Sequence, residues 1–140
     1  MFSVLLYACE SWTLKKNDRD RLLAFEMRCY RWILNIKWHE KVTNKEIRRQ
    51  LEVKRSIMQI IIERKLGLFG HICRMKDERL IKDVVFGGMD GKSRRGRPCR
   101  EWIDDIVEWC QAEVHMLQQS AQDRKEWKKI VEHAINANGC

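Results

Sequence analysis

The sequence predicts an all-α fold: a small helical domain of about five to six helices with a basic loop and a short N-terminal segment. Three observations carry that prediction. Apolar residues recur at three- and four-residue spacing in four stretches, the signature of helices that bury one face. Polar pairs spaced like helix caps stand at Thr43/Glu46, Ser56/Gln59 and Ser120/Asp123. Hydrophobic residues make up 44% of the chain against 34% charged, and six tryptophans are present, so a core can be built and a charged surface still remains.

In order along the chain, residues 3–14 carry Val4, Leu5, Leu6, Tyr7 and Trp12. They are readable as a short strand or a buried helix turn, since periodicity does not separate the two at this length. Residues 17–37 follow as a helix, with Asn17 as N-cap and Asp18 and Asp20 at the positive end of its dipole. Leu22, Phe25, Cys29, Ile33 and Ile36 form one stripe; Leu23, Met27, Tyr30 and Leu34 widen it, so this helix is expected to be largely buried.

Thr43 opens a short helix with Ile47 and Leu51 inward, and Ser56 opens a longer one whose inner edge is Ile57, Ile61, Arg64, Leu68, Ile72 and Met75. The pair reads as an ordinary helical hairpin in preference to a DNA-reading helix-turn-helix, whose sequence pattern is degenerate. Residues 79–86 add a helix with Leu80 and Val84 inside, ended by Gly87-Gly88. Pro98 suits the first position of the next helix, where Ile103, Ile106, Val107, Cys110, Val114 and Leu117 make one continuous stripe. The last helix turns Trp127, Ile130, Val131 and Ala134 inward. The expected division is a helical region over 1–90, a basic loop over 91–100 and a helical hairpin over 101–140.

Several chemistries find no support. No GxxxxGK[ST], HExxH or GxSxG motif occurs. The six cysteines, at 9, 29, 73, 99, 110 and 140, include no CxxC pair, and His71 with Cys73 and Cys110 with His115 are misaligned for tetrahedral zinc. No metal and no cofactor is expected. Asp104-Asp105, the sole Asp-Asp pair, sits inside a helical pattern, so both acids are expected to complement the helix N-terminus and face solvent rather than hold metal ions. His71, beside Gly70, is expected to be a hydrogen-bonded structural histidine. Buried free thiols suit a reducing compartment. The N-terminus lacks a basic start and no stretch reaches the ~20 apolar residues of a membrane span. The expected location is intracellular, nuclear or cytoplasmic, with no membrane partner.

The net charge is +8, from 28 basic and 20 acidic residues, which attracts polyanions. It is concentrated in Gly91–Arg100, where Lys92, Arg94, Arg95, Arg97 and Arg100 occur with no acid. These five are the candidate nucleic-acid-binding residues, suited to phosphate oxygens of RNA or DNA. Trp102 and Trp109, seven apart on the following helix, are candidates for base stacking, with core packing as the competing role.

The strings Leu5-Leu6-Tyr7-Ala8-Cys9-Glu10-Ser11-Trp12, Phe25-Glu26-Met27-Arg28-Cys29-Tyr30-Arg31, Gly70-His71-Ile72-Cys73-Arg74-Met75, Arg94-Arg95-Gly96-Arg97-Pro98 and Trp102-Ile103-Asp104-Asp105-Ile106 occur in this order, with Asp123-Arg124 and Trp127 closing the series. Together they resemble the C-terminal region of endonuclease–reverse transcriptases of non-LTR retrotransposons, of the RTE and related LINE groups. The resemblance spans about nine tenths of the chain. Departures are Ala8-Cys9, where Gly-Ser is common, and Cys99, where a basic residue is frequent.

It implies a thumb-like helical region followed by a basic tail near template and primer. The parent family is an RNA-directed DNA polymerase, but nothing in these residues corresponds to its palm. The implied function is therefore a nucleic-acid-binding fragment, not an enzyme by itself. The alternative is a protein-interaction module, or a decayed, non-functional transposon remnant. Val4, Leu5, Leu6, Tyr7 and Trp12 would then be an exposed surface for self-association or for the missing palm domain.

Overall fold

Ser56 begins the helix around which the others are laid. Its hydroxyl accepts from the Gln59 N–H at 3.3 Å, and Gln59 Oε1 accepts in return from the Ser56 N–H at 2.9 Å. The computed structural model describes residues 2–87 and 99–138. Among them the regular structure is wholly helical: α1 (Lys16–Ile33), α2 (Asn44–Gln50), α3 (Ile57–Cys73), α4 (Leu80–Phe86), α5 (Trp102–Cys110), α6 (Val114–Ser120) and α7 (Arg124–Asn138), with 3₁₀ turns at Cys9–Ser11 and Trp38–Glu40. The all-α class is as the sequence predicts. None of these helices is long and apolar enough to cross a membrane.

Ten of the seventeen residues of α3 are buried, more than on any other helix described, so α3 is the central element; Arg64, Gly67 and His71 make its exposed strip. The buried set is Ile57, Met58, Ile61, Ile62, Lys65, Leu66, Phe69, Gly70, Ile72 and Cys73. Arg64, expected on the inner edge, instead reaches over the rim to donate to the Leu6 carbonyl at 2.8 Å, and Lys65 takes the interior place.

α7 crosses α3 where Gly70 leaves room. Trp127 lies against Phe69 with ring centroids 5.4 Å apart, and its Nε1 donates to the Leu66 carbonyl at 3.0 Å. α5 packs on both α3 and α7, bringing Ile106 and Trp109 into the same hydrophobic cluster as Leu6, Cys9 and Leu14. One core thus draws on residues of both 1–90 and 101–140. A smaller core, Met27, Tyr30 and Ile47, sits between α1 and α2.

The N-terminal segment is a series of turns and not a strand. Leu6, Cys9 and Leu14 are buried and Trp12 is half-buried, while Val4 and Tyr7 point outward. Of the expected sticky surface, Leu6 is buried, Leu5 and Trp12 are half-buried, and Val4 and Tyr7 stay exposed.

Other expectations need correction. α1 starts after Lys15, not Asn17, and the Asp18 carboxylate accepts from the Lys15 N–H at 3.2 Å. It ends at Ile33 because Asn35 is left-handed (φ 52°), which lets the Ile36 N–H close back on the Arg31 carbonyl at 2.9 Å. Nor is α1 largely buried: only Glu26, Met27 and Tyr30 are, and Phe25, Trp32 and Ile33 are exposed.

The stripe from Ile103 to Leu117 is two helices, not one. Gln111 adopts φ 52° and ends α5, and Asn138 Nδ2 satisfies the Trp109 carbonyl at 3.0 Å. This break makes seven helices of an expected five to six. α5 begins at Trp102 with Glu101 as its N-cap, so Pro98, which lies outside the described residues, is not its first position. In α4, Leu80 and Val84 were expected inside but are 76% and 72% exposed; Phe86 alone of this helix reaches the core, edge-on to Phe69 at 5.7 Å.

The α3–α7 crossing makes a paired prediction. A Cβ on Gly70 would stand 2.4 Å from Trp127 Nε1 and 2.7 Å from its Cδ1, whereas one on Gly67 would meet nothing within 4 Å. Gly70→Ala is expected to destabilise by about 1–3 kcal/mol by forcing these helices apart. Gly67→Ala is expected to stabilise by about 0.5–1 kcal/mol through helix propensity. Urea unfolding of both variants checks the opposite signs.

Candidate nucleic-acid interface

The sequence places the phosphate-binding candidates immediately before α5, so the start of that helix determines what they can do. Asp104 Oδ2 accepts from the Glu101 N–H at 2.7 Å and stays at the surface, as an acid in the first turn should. Asp105 does not. It is fully buried, and both of its carboxylate oxygens are engaged. Oδ2 accepts from Lys65 Nζ at 2.5 Å and from the Leu14 N–H at 2.9 Å. Oδ1 accepts from Arg100 Nε at 2.7 Å, with Arg19 at 3.6 Å. The two aspartates point to different environments, and among the described residues no group of three His, Cys, Asp or Glu gathers that could hold a metal ion. The expectation that Asp105 faces solvent is corrected.

Lys65 is as deeply buried as its partner. Its ammonium also donates to the Trp12 carbonyl at 2.7 Å and lies 5.1 Å from the Trp102 ring centroid and 5.5 Å from that of Trp109. Burial pushes its pKa down, and the hydrogen bond and charge of Asp105 act against that shift. One turn beyond Asp105, Glu108 accepts two bonds from Arg19, at 2.6 and 3.0 Å, and pairs with Arg100. The Arg19 hydrogen bonds, and then those of Arg100, hold its carboxyl at about 2.

Of the five basic candidates, Lys92, Arg94, Arg95 and Arg97 lie outside the described residues. Arg100 is described, and its guanidinium is turned inward onto Asp105 and Glu108, so its charge is compensated within the protein. Its role is to fasten the end of the basic stretch to α5, and it is not a free phosphate ligand. The tryptophans are also committed. Trp109 is 1% exposed, with Lys65 and Arg19 over its ring. Trp102 donates from Nε1 to the Glu10 carbonyl at 2.8 Å and packs 6.4 Å from Phe69. Trp109 presents no face for a nucleobase and Trp102 is half-buried, because their positions in the stripe coincide with the α5–α3 contact.

His71 is exposed, not at a packing position, since Gly70 occupies the crossing. Cys73 and Cys110 are pushed up to about 11 by burial, which keeps both thiols protonated near neutral pH.

Two features escape a reading of the sequence. Lys65 stands four residues after Ile61 and four before Phe69, and Glu26 four before Tyr30. A charged residue in register with an apolar stripe is the available signal for both. The second feature is the outward face of α1, where Trp32 is 83% exposed.

The Glu108 pairings set an acid sensitivity. A carboxyl held at about 2 against an ordinary 4.5 contributes stability that is present above 4.5 and lost as pH falls through 2. Because Glu108 is partly exposed, Glu108→Gln is expected to cost only about 0.5–1 kcal/mol near pH 6. Urea unfolding from pH 6 down to 2 should show the gap between variant and parent closing across that window. A gap independent of pH contradicts the assignment.

Searches against protein-family models, curated proteins and solved structures found no match for this chain.

Proposed function

We propose that this protein binds RNA or DNA through phosphate contacts, as a basic helical module of the kind found C-terminal to the palm in LINE-type reverse transcriptases, and that it does not polymerise by itself. One observation carries the proposal: the basic stretch contains four cations within six residues, Lys92, Arg94, Arg95 and Arg97, with no acid among them. Arg100, the fifth, is matched by Asp105 and Glu108. It ties the stretch to a rigid helix while the other four retain uncompensated charge in sequence.

Such a group binds by releasing condensed counterions, which gives affinity without base specificity. A polymerase needs carboxylates that converge on metal ions, and Asp104 and Asp105 diverge. A protein-interaction role has one observation in its favour: among the described residues Leu80 and Val84 of α4 lie largely exposed. The N-terminal segment is weaker support for that role, because Leu6 and Trp12 are packed.

Replacing Arg94, Arg95 and Arg97 with alanine should leave helicity unchanged and weaken binding to unrelated sequences alike. The slope of log affinity against log salt should become shallower by roughly 0.7 to 0.9 for each phosphate no longer neutralised. Fluorescence titrations of RNA and DNA at several salt concentrations check both. An unchanged slope and affinity would remove the basic stretch from the interface and favour the interaction-module reading.

A further inference from the structure

The outward face of α1 combines features that the basic stretch lacks. Arg21, Phe25, Arg28 and Trp32 follow one another at intervals of four, three and four residues, which stacks them along one side of a helix. All four are exposed, Phe25 at 48% and Trp32 at 83%. A tryptophan so exposed buries almost none of its ring, so core packing does not explain its presence.

The charge on this stretch is one-signed. Between Arg21 and Trp32 the sole acid is Glu26, which faces the opposite way, fully buried and bonded to Tyr30, Ile57 and Arg48. Arg31, beside the ridge, donates to the side-chain oxygen of Asn44 and to the Val42 carbonyl, neutral partners that leave its charge intact. At one edge Phe25 also lines a shallow apolar groove of about 370 Å³ with Leu5, Trp12 and Leu22; Arg21 stands at its rim beside Asp18, whose carboxylate accepts from the Lys15 N–H.

We propose that this ridge is a binding surface for single-stranded nucleic acid: Trp32 and Phe25 stack unpaired bases, and Arg21 and Arg28 bind the phosphates between them. The inference rests on the nucleic-acid function proposed for the basic stretch and adds both a second surface and a preferred strand state. Charge complementarity selects a polyanion as the occupant. The alternation of cation and aromatic selects a single strand, because a duplex hides its base faces while phosphates alone need no tryptophan. Arg21 to Trp32 spans about 16 Å at a rise of about 1.5 Å per residue. At about 3.4 Å per stacked base that is room for roughly four or five nucleotides.

The test uses the full chain, a labelled oligouridylate of about twelve nucleotides and a duplex of the same length. It compares the parent with Trp32→Phe, Trp32→Leu, Arg21→Gln/Arg28→Gln and the Arg94/Arg95/Arg97 alanine triple variant. Trp32 supports no core, so the folds should match by circular dichroism. Trp32→Leu should weaken single-strand binding roughly five- to 150-fold. It should leave duplex binding unchanged, and Trp32→Phe should restore most of the loss. The arginine pair should weaken single-strand binding and flatten its salt dependence.

If Trp32→Leu binds the oligouridylate as the parent does while the triple variant does not, the ridge proposal falls and the nucleic-acid function stands. If the parent binds neither probe, both fall together. If the parent sediments as a dimer that Trp32→Leu converts to monomer with nucleic-acid binding unaltered, the ridge is a self-association surface and the proposal is overturned.

Discussion

The fold depends on one buried ion pair. Lys65 and Asp105 are fully withdrawn from water, 2.5 Å apart, in the space where α3, α5 and the N-terminal segment converge. Two charges there cost several kcal/mol each in lost hydration, and the pair is tolerable because each partner also bonds to the backbone, with Lys65 lying over the Trp102 and Trp109 rings. Asp105 takes a backbone amide from Leu14, and Lys65 gives a proton to the Trp12 carbonyl. These bonds hold an irregular segment, which has no helix ladder of its own to satisfy its amides, in register on α3. Glu26 repeats the device in the smaller core. It accepts from the Ile57 N–H at the start of α3, from Tyr30 within α1, and from Arg48 of α2. Each core has one buried carboxylate that joins three segments.

This arrangement sorts the basic residues by function. Lys65, Arg19, Arg48 and Arg100 spend their charge on internal acids. Arg21 and Arg28 on α1 project outward, with Arg31 beside them bonded to neutral oxygens. Part of the basic complement is thus used inside: Lys65, Arg19, Arg48 and Arg100 pair with the buried carboxylates Asp105 and Glu26 and with Glu108. Arg100 stands at the boundary between the two uses, closing the basic stretch onto α5.

Periodicity made most of the fold legible. The capping pair Ser56/Gln59 and the inward set of α7 follow from residue type and spacing, because local caps and amphipathic faces are encoded within one or two helical turns. On α3 only Ile57, Ile61 and Ile72 of the expected edge are buried, while Arg64, Leu68 and Met75 are not. What escaped was encoded at long range. Lys65 is acceptable inside only because Asp105, forty residues away, is there to meet it. Trp102 and Trp109 have the spacing of a stacking pair, but contact with α3 buries Trp109 and half-buries Trp102. The end of α5 at Gln111 requires a left-handed residue where the stripe of apolar positions continues without interruption. On α1 and α4 the apolar residues exceed what the neighbouring helices can cover, so Phe25, Trp32, Leu80 and Val84 remain outside. The surface proposed to bind nucleic acid is in this sense the part of the pattern that core formation left over.

The central claim is that Lys65 and Asp105 act as one unit, and a double-mutant cycle tests it most directly. Lys65→Met and Asp105→Leu are measured singly and together by urea unfolding. Asp105→Leu strands the buried Lys65 ammonium and is expected to cost about 3–5 kcal/mol, and Lys65→Met, which leaves Asp105 with Arg100 as its charged partner, somewhat less. The double variant strands neither, so it should be more stable than the sum of the two losses predicts by about 2–3 kcal/mol. Strictly additive losses would mean that the two charges are stabilised independently and that the pair does not hold the three segments together.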